Sequence, residues 1–160
     1  MVIIMYVWMM EYTWNVWSFL RTQWTQLLKD HTQETLSIIP TGFNNSPIWN
    51  AGHVCVTQQL LCYNLSGLSM NVSDELIAQF RKGTFAKAEY AEGTKEEIMQ
   101  GLAAMVALTQ TDFAAGKFKD FQAYTTSSGY LLENFEQALS FNLQHEAYHL
   151  GVARSQQRLI

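Results

Sequence analysis

His145 and His149 stand four residues apart in the stretch His145-Glu146-Ala147-Tyr148-His149, near the end of the chain. On a helix this spacing projects both imidazoles from one face, about one turn apart. Two neutral imidazoles so placed can hold one divalent metal ion. The same H-E-x-x-H spelling is used by zinc proteases, where the glutamate is the general base. Two histidines alone make a weak site, because zinc sites take three or four protein ligands. Only eleven residues follow His149, and none is His, Asp, Glu or Cys. A third ligand must therefore come from upstream, in an order that a typical protease of this class does not use. His31 and His53 are the remaining histidines. His31 follows Asp30 at the end of a helical stretch, where the helix dipole favours a cation, and reads as a capping or surface residue. His53 lies within a strong helical pattern and is the candidate third ligand.

The elements that must position these residues are legible in the apolar periodicity. A first helix runs from about Met10 to His31, with Trp17, Leu20, Trp24 and Leu27 at spacings of three and four. Ser46-Pro47 opens a second helix, serine as N-cap and proline at the first helical position. Its stripe is Trp49, His53, Val56, Leu60 and Tyr63, and Gly67 is its stop. A short element begins at Ser73, with Asp74 and Glu75 in its first turn. Gly83 to Gly93 is a polar connection. Thr94-x-x-Glu97 has the form of a capping box before a long helix that ends at Gly116. The pattern breaks over Lys117–Tyr130, where Thr125 to Gly129 signals a turn. The last helix is expected over Leu131–Gln157, with a seam of Phe135, Ala138, Asn142, His145, His149, Val152, Gln156 and Leu159.

Four long amphipathic helices without a convincing strand pair indicate an all-α helical bundle. His53, His145 and His149 all fall on inward seams. Three imidazoles facing a bundle core are expensive to bury without a partner, and one metal ion answers for all three. Glu146 sits beside the seam, suited either to act as a general base on metal-bound water or to form a salt bridge with the neighbouring helix. Asn50 and Asn142 lie one turn from His53 and His145, within reach of a ligand histidine, a substrate or a facing helix. Trp14, Trp17, Trp24 and Trp49 are core or pocket wall.

A chain of 160 residues fits one domain, 1–160, with residues 1–9 an apolar leader that is disordered, a helical lead-in, or an annotation artefact. The leader is too short to span a bilayer and lacks a signal peptide's basic start and cleavage site. Ten basic against fourteen acidic residues, with no basic run, argue against a nucleic-acid binder. Cys55 and Cys62 are seven apart on one helix, so their Cα atoms lie roughly 10 Å apart, too far for a disulfide. Unpaired thiols fit a reducing, cytoplasmic setting. Cys55 points away from His53, since two helical residues turn the side chain by about 200°. The aromatic content of 13% beside only 15% charged residues suggests apolar helix faces left over for a homodimer.

Trp49-Asn50-Ala51-Gly52-His53, then Thr126-Ser127-Ser128-Gly129, then His145-x-x-x-His149-Leu150-Gly151 resemble the DinB/YfiT-like superfamily over nearly the whole chain. The resemblance implies an up-down-down-up four-helix bundle, commonly dimeric, with nickel or zinc held by His53, His145 and His149. It also implies a small-molecule substrate and either thiol-dependent transfer, with bacillithiol, mycothiol or glutathione as cosubstrate, or hydrolysis. The family pattern does not require Glu146. A non-catalytic metal-binding or stress-response protein is the alternative, because fold and ligand set do not fix the reaction. Without a basic cluster, a cosubstrate with several acidic groups finds no obvious partner, though one arginine such as Arg81 or Arg154 could serve.

Overall fold

The structure is a computed structural model describing residues 2–160. Its framework is helical: α1 (Val2–Lys29), α2 (Gln33–Ser37), α3 (Pro47–Gln58), α4 (Asp74–Phe80), α5 (Thr94–Ala114) and α6 (Phe135–Gln157). The leader expected over 1–9 continues α1 from Val2 onward, and residue 1 lies outside the described residues. Nothing in this stretch breaks a helix, as it holds neither glycine nor proline. The Tyr6 hydroxyl donates to Glu136 at 2.8 Å, joining the early turns of α1 and α6.

Local chemistry fixes where α3 and α4 start. The Ser46 hydroxyl accepts from the Trp49 N–H at 3.4 Å, with Pro47 at the first helical position. Ser73 caps α4 in the same way, accepting from Leu76 N–H at 3.1 Å. After Gln58 the helix widens into a π-helical turn, Gln59–Tyr63, then a 3₁₀ turn that Gly67 ends with φ of 68°. The π turn departs from the regular α-helix expected there, and such turns recur at functional sites.

Three expectations need correction. The capping box at Thr94 does not form: Gly93, at a φ of 84°, takes the N-cap position. Thr94 instead donates to Ala91 O, and Glu97 accepts from Ser73 Oγ, tying α5 to α4. Next, α6 starts at Phe135 rather than Leu131, because Asn134 caps it through Gln137 N–H at 2.9 Å. Leu131–Leu132 is strand β2, paired antiparallel with β1 (Tyr124–Thr125). The expected turn closes this hairpin, with Gly129 at a φ of 84°. Finally, Leu159 is exposed, and the inward seam of α6 ends at the buried Gln156.

The Tyr6–Glu136 and Trp17–Glu146 contacts advance together along both helices, so α1 and α6 run in the same direction. Asn50 meets His149 and Gln156 while His53 meets His145, so α3 runs against α6. Trp24, Leu28, Ile48, Val54, Phe80, Ile98 and Leu102 fill the core at the α3–α4 end. Trp14, Trp17, Val106, Phe135 and Leu139 fill the opposite end. Burying large aromatic and aliphatic side chains of this kind stabilises a fold by about 1.5–3 kcal/mol each, and that packing holds α3 and α6 in register. No described helix is long and apolar enough to cross a membrane.

Candidate metal centre

His53 projects from the second turn of α3, and His145 and His149 from two successive turns of α6. One ligand nitrogen from each lies within 4.8 Å of the other two. The ring centroids are 5.0 Å (His53–His145), 4.8 Å (His53–His149) and 4.4 Å (His145–His149) apart. A zinc ion held tetrahedrally at about 2.0–2.1 Å needs its ligand nitrogens about 3.3 Å apart. Three imidazole nitrogens gathered this closely are a donor set of the kind that holds zinc or nickel.

Two of the three rings are already oriented. Nδ1 of His53 donates to the carbonyl oxygen of Phe80 at 2.8 Å. Nδ1 of His149 donates to Asn50 Oδ1 at 2.7 Å. Each bond fixes the tautomer and makes Nε2 the acceptor nitrogen, which on His53 meets the Thr57 hydroxyl at a long 3.4 Å, and such outer hydrogen bonds raise ligand basicity. Asn50 is itself pinned, its amide donating to Ser46 O and to Gln156 Oε1, both at 3.0 Å. It therefore bridges α3 and α6 and orients the His149 ring at once. His145 makes no such bond, and its buried Nδ1 has no hydrogen-bond partner among the described residues.

The Phe80 carbonyl is available because it ends α4, where the last carbonyls lack intrahelical partners. Gly52 lets it come near. A Cβ at Gly52 would sit 2.5 Å from the Phe80 ring, closer than atoms pack. The glycine just before His53 thus admits Phe80 to the surface of α3. Trp49 stacks on His53 with centroids 4.7 Å apart and planes inclined by 11°, while its indole N–H donates to Thr84 at 3.0 Å.

The electrostatics suit a metal site. Burial lowers the His53 pKa, with the Phe80 hydrogen bond opposing it. Burial, then repulsion from His53, lowers His145 to about 4. Burial, then repulsion from His145 and His53, lowers His149 to about 3. All three imidazoles are therefore neutral near pH 7, the form that binds metals.

Glu146 lies elsewhere. It is 0% exposed and turned toward α1, where its Oε1 is 2.9 Å from Arg21 Nε and its Oε2 accepts from the Trp17 indole at 2.9 Å. Arg21 is itself 4% exposed, its guanidinium carbon 5.2 Å from the Trp17 ring centroid. Burial pushes the Glu146 carboxyl up, and Arg21 and Trp17 oppose that push. The interhelical salt bridge weighed from sequence is present. Asn142 is fully buried, and its amide has no partner among the described residues. His31 donates to Leu27 O at 3.1 Å across the end of α1, away from the cluster.

Cys55 and Cys62 are free and buried, and burial raises their thiols to about 11 and about 12. Cys55 faces Gly101 on α5, its sulfur 2.7 Å from where a Cβ there would be. A cavity of about 270 Å³ opens beside His53 and His145. The π turn supplies Leu60 and Leu61 to its wall, the hairpin Tyr124, Thr126 and Ser127, and α6 Phe141. Sequence periodicity missed this hairpin wall, the Phe80 carbonyl and the Arg21 partner. Gly52 beside His53 and the Ser73 cap are the signals that could have pointed to Phe80.

The family model of the DinB superfamily matches residues 17–153, a span that holds all three histidines. No curated protein matches the chain.

Proposed function

Since this chain belongs to the DinB superfamily, we propose that it is a divalent-metal-dependent enzyme whose ion, nickel or zinc, is held by His53, His145 and His149. The observation that carries the reading is the convergence of three neutral imidazoles, two of them oriented through Nδ1, beside a cavity. Three protein ligands leave a position open, the layout of catalytic rather than structural zinc. The ion would lower the pKa of a bound water or thiol and polarise a second substrate. The chain's own residues do the rest. Asn50 and the Phe80 carbonyl hold the ligand rings, Trp49 shields one face of His53, and the cavity seats a small-molecule substrate next to the ligands. Glu146 anchors α6 to α1 and takes no part in proton transfer, which removes the protease reading's base.

The reaction is thiol-dependent transfer or hydrolysis. Zinc- or nickel-loaded protein is assayed for conjugation of bacillithiol, mycothiol or glutathione to chlorodinitrobenzene, and for hydrolysis of 4-nitrophenyl acetate. Rates above those of metal-free protein support the reading, and Glu146→Gln should retain them. No gain in either assay favours the non-catalytic, metal-binding or stress-response alternative.

The setting is proposed to be the cytoplasm, because both thiols are unpaired. A homodimer is proposed on the exposed stripe of Met5, Trp8, Met9, Tyr12 and Phe19 along α1. Sedimentation as a monomer at tens of micromolar would count against it.

A further inference from the structure

The cavity beside His53 and His145 carries one formal charge on its wall, Lys82, and no carboxylate. Apart from the two imidazoles and the Asn64 amide, the rest of the wall is apolar (Leu60, Leu61, Leu65, Phe141) or hydroxylic (Thr57, Tyr124, Thr126, Ser127). Lys82 makes no ion pair among the described residues. Its backbone is built into the site. Arg81 to Thr84 is a tight turn closed by Thr84 N–H donating to Arg81 O at 3.2 Å. Gly83 takes a φ of 90° at the turn's third position, where only glycine sits without strain. Lys82 thus occupies the second position. Both sides of the turn are fastened to the candidate metal centre: Phe80 O accepts from His53, and Thr84 accepts from Trp49, which stacks on His53. Neither arginine considered from sequence serves here. Arg154 pairs with Gln23 on α1, and Arg81 is not on the cavity wall.

We propose that this cavity selects a compact substrate with an apolar body and a single anionic group, a monocarboxylate, with Lys82 as the residue that reads the charge. The proposal rests on the reading of the three histidines as a metal centre facing that cavity. The volume of about 270 Å³ accommodates a ring or short branched chain, and the apolar wall rewards burial of its surface. Lys82 is the one formal charge on the protein wall, so in the metal-free protein a second carboxylate meets no second cation there, and dianions are disfavoured by desolvation and by the field of a protein of net charge −4.

The probes are phenylacetate, its uncharged counterpart phenylacetamide, and the dianion phenylsuccinate, titrated calorimetrically into the full chain with and without zinc. Lys82 is solvated, so its charge is worth a modest factor. Metal-free wild type should bind phenylacetate about fivefold tighter than phenylacetamide, and phenylsuccinate no tighter than phenylacetate. Lys82→Met should erase the preference and leave zinc stoichiometry unchanged. Phe141→Ala should weaken acid and amide alike. A preference that survives Lys82→Met, or that exists only with zinc bound, overturns the proposal, because the carboxylate would then be read by the metal. Failure to bind zinc sinks the metal reading alone, since the metal-free titrations still decide the role of Lys82.

Discussion

Removing the Glu146 carboxylate should unfold the bundle more readily and leave the chemistry of the site in place. Glu146→Ala leaves the Arg21 guanidinium, 4% exposed, without its anion, and takes the acceptor from the Trp17 indole. Breaking a buried ion pair from one side costs about 3–5 kcal/mol. The loss of the indole's acceptor is part of the same figure, not an addition to it. Against a typical domain stability of about 5–15 kcal/mol this is a large fraction, and for a chain of this size it lowers Tm by roughly 10 °C. Glu146→Gln keeps an acceptor for Trp17 and loses only the charge, so its cost should be smaller, about 2 kcal/mol. Replacing both partners, Arg21→Met with Glu146→Leu, should recover much of the loss, because an apolar pair of similar volume needs no desolvation. Urea unfolding of metal-free protein measures all three variants against wild type. The reasoning is refuted if Glu146→Gln unfolds like wild type, keeps its metal and loses activity, since Glu146 would then be a base and not an anchor.

Three further outcomes follow from the geometry. Gly52→Ala should push the Phe80 ring from α3, its Cβ arriving 2.5 Å from that ring, costing about 1–3 kcal/mol and weakening zinc binding as the Phe80 carbonyl leaves His53; competition with a chromogenic chelator measures the latter. Asn50→Ala should lower metal affinity by about 10–100-fold with α-helical content unchanged by circular dichroism. Acid should destabilise the metal-free protein: the folded pKa values of His145 (about 4) and His149 (about 3) lie below the ordinary histidine value of 6.5, so the unfolded chain binds more protons between those limits and stability falls as pH drops through them. Urea midpoints at pH 7 and pH 5 test the sign, and a higher midpoint at pH 5 would contradict it.

The three-histidine cluster was legible because a helix converts spacing into direction. His145 and His149 share a face by their separation alone, and Ser46-Pro47 fixes the start of α3 and hence the phase of His53. Glu146 was ambiguous for the same reason: one residue on from His145 turns its side chain by about 100°, toward whatever lies beside α6. That neighbour is Arg21, distant in sequence, and a buried arginine looks no different from an exposed one in a single sequence. The capping box failed because Gly93 can adopt a positive φ and end the preceding loop one residue early. Leu131 and Leu132 continue the apolar pattern of α6, but Asn134 caps the helix after them and frees both for the hairpin. The cavity wall was hidden because it is assembled from a π turn, a hairpin and a loop, which share no periodicity.

The central claim is that the third ligand comes from α3, and the metal content of untagged protein, compared between wild type and His53→Ala, tests it most directly. Plasma mass spectrometry should find about one nickel or zinc ion per wild-type chain and little in His53→Ala, because two imidazoles make an incomplete site. His31→Ala, altered outside the cluster, should match wild type. Full metal content in the His53→Ala protein would contradict the account.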